Sequence, residues 1–178
     1  MELHIGQKVA YPGQGVCLVE CIKSREVGES SMNVYLLRVL HDNSTIFVPT
    51  EKAGSVGIRP LISGKQCRQL IGQLSEDFES VTCNWKTRSR AFMEKLHSGD
   101  IFEAAVVLKQ LTFLSQEKRL SFREQTLLEK AKFLIVSEIS NANRGDESMV
   151  ETEVIERVAS ACTKHHEIEL TAMSAVTH

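Results

Sequence analysis

The hydrophobic pattern of this chain changes its period once, near residue 63, and that change limits the fold more than any other feature. Up to that point the apolar residues come in short runs of strand formers: Val9-Ala10-Tyr11, Val16–Ile22, Val34–Leu40 and Thr45–Pro49. Turn signals separate them. Pro12-Gly13-Gln14-Gly15 supplies two glycines for positive φ, Gly28 to Asn33 reads as a polar turn, and His41-Asp42-Asn43-Ser44 is a tight one. From Ser63 onward apolar residues recur every three or four positions, the spacing of one face of a helix.

The helical half has legible starts. Ser63 caps a helix with Cys67, Leu70, Ile71, Leu74 and Phe78 on one side. Asn84 caps a second, which stops at Gly99. Asp100 with Glu103 resembles a capping box ahead of Ala104, Val107, Leu108 and Leu111. Ser121 with Glu124 is a full capping box, and Asp146 opens a fifth helix with Val150, Val154, Ile155 and Val158. The fold class is therefore α+β: a small Tudor/SH3-like β-barrel over residues 1–62, then a compact all-α bundle of about five helices over residues 63–162. Residues 163–178 lose periodicity and are expected to form a mobile tail.

Composition excludes several classes. No apolar run reaches the roughly 20 residues that cross a bilayer, and the N-terminus lacks a basic-then-apolar leader, so a cytoplasmic protein without membrane contact is expected. The five cysteines are odd in number, which argues for thiols rather than a disulfide framework. Cys17 and Cys21 would share a strand face but stand roughly 13 Å apart, too far to share a metal. His165-His166 falls in the unpatterned tail, so neither metal nor cofactor is expected. There is no GxSxG, HExxH or Cys-His pattern, so nothing asks for an enzyme. Tyr11–Val16 has glycines but precedes a strand and lacks the lysine of a phosphate loop, which makes it a structural turn.

Charge is unevenly spread beneath a net of −2. Residues 1–62 carry six basic and six acidic groups. Residues 63–144 carry thirteen and ten, and residues 145–178 two and seven. A local basic patch in the middle is compatible with nucleic-acid contact at one place; a general nucleic-acid coat would be more basic. The patch centres on Asn84-Trp85-Lys86-Thr87-Arg88-Ser89-Arg90, which holds the chain's single tryptophan at the expected start of a helix. Such a ring beside cations and a helix N-terminus suits phosphate binding and insertion between bases. The alternative is a tryptophan packed against the barrel with solvated charges beside it. Pro49, closing a strand, marks a sheet edge able to accept a partner.

The chain resembles the CarD-like (CdnL) bacterial transcription regulators. The matching stretches are Tyr11–Val16, Val48-Pro49, Ser55–Arg59, Trp85 with Arg88 and Arg90, Met93–Leu96 with Gly99, Phe102-Glu103 with Val107-Leu108, and Leu120-Ser121-Phe122 with Glu124. The resemblance implies a first domain that binds the β subunit of RNA polymerase through a strand edge, like the related domain of transcription-repair coupling factors. Carried over by position, Arg25, Leu37, Phe47 and Pro49 would make that contact; Phe47 departs from relatives that place an arginine there, so an apolar contact replaces an ion pair. The resemblance also implies that Trp85 wedges into the minor groove at the upstream edge of the promoter bubble. Arg88 and Arg90 would hold phosphates, joined by Lys86 and by Arg123, which compensates for Gln125 where some relatives have a lysine. The reading is a monomeric, non-enzymatic initiation factor that holds promoter DNA open with little sequence specificity. The alternative is a protein-interaction adaptor without DNA contact.

Overall fold

The computed structural model describes residues 2–27, 30–81, 84–143 and 145–176. Strand β1 is Lys8–Tyr11, β2 is Gly15–Val27, β3 is Ser30–Val39 and β4 is Thr45–Pro49; after a 3-10 turn at Thr50–Lys52, β5 is Arg59–Pro60. They form one antiparallel sheet in the order β4-β3-β2-β1-β5, which leaves β4 and β5 as its edges. The short β5 was not evident in the sequence; it pairs with Val9 and Ala10 of β1.

Two expectations for the sheet are corrected. Pairing between β2 and β3 continues out to Val27 and Ser30, so the polar stretch read as a turn is mostly ladder. Backbone hydrogen bonds hold these strands where side-chain pattern gives no strand signal. The second correction concerns Cys17 and Cys21. The ladder slips between Val19 and Cys21, so Cys17 lies opposite Val39 in the core while Cys21 lies opposite Leu36 on the other face. An extra residue in one strand reverses the side on which every later side chain points. Burial raises the Cys17 thiol pKa to about 11, and it is an inert core residue.

The inner face of the sheet buries Val9, Cys17, Val19, Tyr35, Leu37, Val39 and Val48, together with Leu3 and Ile58. The Tyr35 hydroxyl accepts the Leu3 N–H at 3.1 Å, which ties the N-terminal segment across the core.

Helix α1 is Gly64–Leu74, α2 Trp85–His97, α3 Ile101–Glu117, α4 Phe122–Asn143 and α5 Glu147–Val176. Ser63 and Gln66 form a complete capping box at α1, Ser121 and Glu124 form one at α4, and Asp146 accepts the N–H groups of Ser148 and Met149 at α5. At α3, Asp100 accepts the Phe102 N–H, but Glu103 does not complete a box; it pairs with Lys95 of α2 instead. The helices share a second core that includes Leu70, Leu74, Phe92, Leu111, Ile135, Val154 and Val158. Residues 163–176, expected as a mobile tail, are the last turns of α5. Their apolar periodicity fades because they dock through His165, next to the buried Cys162, rather than through a leucine stripe.

The turn between β1 and β2 is the joint between the two cores. A Cβ built on Gly15 (φ +90°) would lie 3.0 Å from a Phe133 ring carbon of α4, and one on Gly13 (φ +70°) 2.9 Å from His97 of α2. Only glycine takes these backbone angles and this approach without strain. Beside the turn, Arg59 of β5 grips Glu138 of α4 with two N–H···O bonds of 2.5 and 2.9 Å, and its Nε donates to the Gly99 carbonyl at 2.9 Å. The buried Glu138 also accepts the Ile62 N–H at 3.1 Å. A two-pronged charged pair sets orientation as well as distance.

Candidate nucleic-acid interface

Helix α2 begins where Asn84 lets it. The Asn84 side-chain oxygen accepts the N–H groups of Lys86 (3.1 Å) and Thr87 (3.5 Å), satisfying two of the donors a helix start leaves over. Trp85 is therefore the first helical residue, ahead of the side-chain stripe of Phe92 and Leu96 that enters the core. The ring is 58% exposed, and the Lys86 ammonium stands 5.8 Å from its centre. This favours the exposed reading of Trp85 over the packed one left open above.

Trp85, Lys86, Arg90, Met93, His97 and Arg123 line one open groove of about 560 Å³. Arg90 is exposed and pairs with Glu94 of its own helix at 3.0 Å. Arg123, from the first turn of α4, rests a guanidinium nitrogen 2.8 Å from the Met93 sulfur. Three of the expected cations are thus gathered on one face with the indole. Gln125 is turned back onto the Leu120 carbonyl at 3.4 Å.

Arg88 is the correction in this set. Its side chain is buried and meets Glu124 at 2.7 Å. Positions three apart lie on neighbouring parts of a helix surface, so Trp85 and Arg88 differ in exposure because α4 covers the second and not the first. Glu124 also completes the α4 capping box, accepting from the Ser121 N–H (3.0 Å) and hydroxyl (2.8 Å). Burial alone would raise the Glu124 carboxyl pKa; the hydrogen bonds from Arg88 and Ser121 outweigh it and hold it at about 2. Arg88 thus locks the start of α2 to the start of α4.

Beside Glu124 in the same helix turn is an aromatic whose place in the Leu120-Ser121-Phe122 stretch carries no role of its own in the sequence. Phe122, first in α4, is 85% exposed. The signal was available: an aromatic directly after a capping serine sits at a helix entrance, as Trp85 does. Phe122 lines a second, mainly apolar groove of about 680 Å³ that shares Met93, His97 and Arg123 with the first and runs to Gly13 and His41 at the joint.

On the sheet, the expected polymerase contacts separate. Phe47, 49% exposed, and the half-buried Pro49 lie on the edge strand β4. Leu37 does not join them. It is fully buried on the inner face with Tyr35 and Val39, because side chains alternate along β3. Its neighbour Leu36 faces outward, directly opposite Phe47 on one side and Cys21 on the other, giving an apolar row across three strands. Arg25 pairs with Met32 along the β2–β3 ladder; its side chain lies outside the described residues.

Comparison with known proteins accounts for both halves of this arrangement. The model of the CarD-like/TRCF RID domain matches residues 3–62, and that of the CarD C-terminal domain matches residues 69–155. The chain belongs to the CarD-like family. Among the proteins it resembles is one from Bacillus subtilis (strain 168) described as a candidate transcription factor, YdeB. It is 28% identical over 135 residues, which are 76% of this chain and 88% of the relative. Membership in this family of transcription factors makes the chain a transcription regulator with a Tudor-like β domain and a helical C-terminal bundle. Among the described residues no helix is long and apolar enough to cross a membrane, and no His, Cys, Asp or Glu cluster could hold a metal ion.

Proposed function

We propose that this regulator binds the β subunit of RNA polymerase along strand β4 and stabilises the open promoter complex by wedging Trp85 into the minor groove at the upstream edge of the bubble. The observation that carries the reading is the exposed indole at the head of α2, in one groove with Lys86, Arg90 and Arg123. At a fork the base stack is already broken on one side, so insertion costs less there than in intact duplex. A ring held in that gap favours the open state by binding it better than the closed one. In this reading the three cations take phosphates, and such contacts carry little sequence information. Phe122 supplies a second exposed ring on the same face.

The edge position of β4 supports the polymerase contact. Strand addition at a sheet edge is a common way for a partner to dock, and the Cys21–Leu36–Phe47 row offers apolar surface beside this edge. Tethering matters because a few phosphate contacts are weak alone and linkage raises their effective concentration. The test is open-complex decay with purified polymerase. Trp85→Ala is expected to shorten the lifetime while polymerase binding is retained; equal lifetimes with and without the ring would sink the wedge.

A further inference from the structure

Ten residues separate the end of α1 from the start of α2, and the side chains of α3 and α5 hold the first part of that connection. From α3, the buried Lys109 ammonium donates to the Gln73 carbonyl (2.7 Å) and the Glu76 carbonyl (3.2 Å), and Gln110 donates to the Glu79 carbonyl (2.8 Å). From α5, Lys164 donates to the Ser75 carbonyl at 2.8 Å, at the C-terminal end of α1 where a cation suits the helix dipole. His165 reaches furthest. It is only 3% exposed, stacks on Phe78 (centroids 4.2 Å, 18° between planes) and meets Phe113 edge-on at 4.8 Å.

Its ring nitrogens are both engaged. Nδ1 lies 2.7 Å from Asp77 Oδ1, and Nε2 lies 3.2 Å from Ser80 Oγ and 3.3 Å from Glu169 Oε1. The order Ser80, His165, Asp77 is that of a nucleophile site, but the Ser80 hydroxyl donates to Glu169 at 3.0 Å. A carboxylate can only accept, so the serine proton is directed away from the imidazole. The group binds a segment rather than reacting.

The family match ends at residue 155, whereas α5 continues to Val176. Lys164 and His165 belong to that continuation. We infer that the C-terminal part of α5 is a strut, and that His165 is a positioning residue for Trp85: it clamps residues 75–80, the stretch that precedes Asn84 by only a few positions in the sequence, and so limits where α2 can start and where the indole points. The functional consequence rests on the wedge reading; the positioning does not.

Trp85 is the single tryptophan of the chain, so its emission tests the inference directly. In the full-length His165→Ala protein the Trp85 anisotropy should fall and iodide quenching should rise at unchanged far-UV helicity. If the competent arrangement drops to about one-fifth, affinity for a DNA duplex carrying an open fork should fall about fivefold. His165→Asn, whose amide nitrogen stands near the Nδ1 position and can still donate to Asp77, should recover part of both signals. Should His165→Ala fail to fold, Ser80→Ala, at the exposed end of the network, gives the same readout without touching the core. Unchanged anisotropy in the folded variant overturns the positioning. Lower anisotropy with unchanged fork affinity upholds the positioning and overturns the wedge reading instead.

Discussion

Arg88 and Glu124, on different helices and 36 positions apart, form a buried ion pair with 2.7 Å between nitrogen and oxygen. Each partner lies at the start of its helix, the helices that Trp85 and Phe122 open. Loss of Arg88 would therefore be felt in the fold before it is felt in DNA binding.

Arg88→Met is expected to destabilise the chain by about 3–5 kcal/mol, because it strands a buried carboxylate. Adding Glu124→Gln should recover a substantial part, since the uncompensated charge is then gone. Urea unfolding of the two single variants and the double variant measures the coupling. Equal losses for Arg88→Met alone and the pair together would contradict it.

The two kinds of cation should also differ in their salt dependence. Arg90→Ala and Arg123→Ala should each weaken binding to forked DNA and reduce the slope of log affinity against log salt by about 1. A folded Arg88 variant should leave that slope unchanged. Titrations at several salt concentrations separate the two cases.

Acid should attack the Arg88–Glu124 pair as well. The Glu124 carboxyl has its folded pKa depressed, from 4.5 to about 2. A depressed carboxylate contributes stability that is fully present above its unfolded value and is lost as the pH falls through the folded value. The contribution, on the order of 3 kcal/mol, should thus disappear between about pH 4.5 and pH 2. In Glu124→Gln the pH dependence of unfolding across this window should flatten.

Alternation along β3 gives a paired prediction. Leu37→Ala should cost about 2–5 kcal/mol in stability, as for a fully buried leucine. Leu36→Asp and Phe47→Asp should cost less stability than Leu37→Ala while losing affinity for the polymerase β subunit. Unfolding curves and a pull-down with purified β subunit distinguish core from surface, and intact binding by both Asp variants would move the contact elsewhere.

What the sequence made legible was local. Ser63, Asn84, Ser121 and Asp146 each cap the helix expected of them, because a cap depends on neighbours three residues away. The hidden features depend on distance. Arg59 finds Glu138 across 79 positions, and Arg88 was read as a surface cation because nothing nearby reveals that α4 covers it. Cys21 was assigned to the wrong face because a one-residue slip in a ladder leaves no trace in strand propensity. His165 looked like part of a polar tail, since the aromatic cage around it comes from Phe78 and Phe113, far along the chain.

The joint at Gly15, Arg59 and Glu138 ties the sheet to the bundle. With sheet and bundle clasped there, the β4 edge and the Trp85 ring stand at a set span, like the jaws of a fixed caliper. If both serve as proposed, promoters would be sorted by how far their melted fork lies from the polymerase lobe, and loosening the clasp at Arg59 would blur that gauge without altering either jaw.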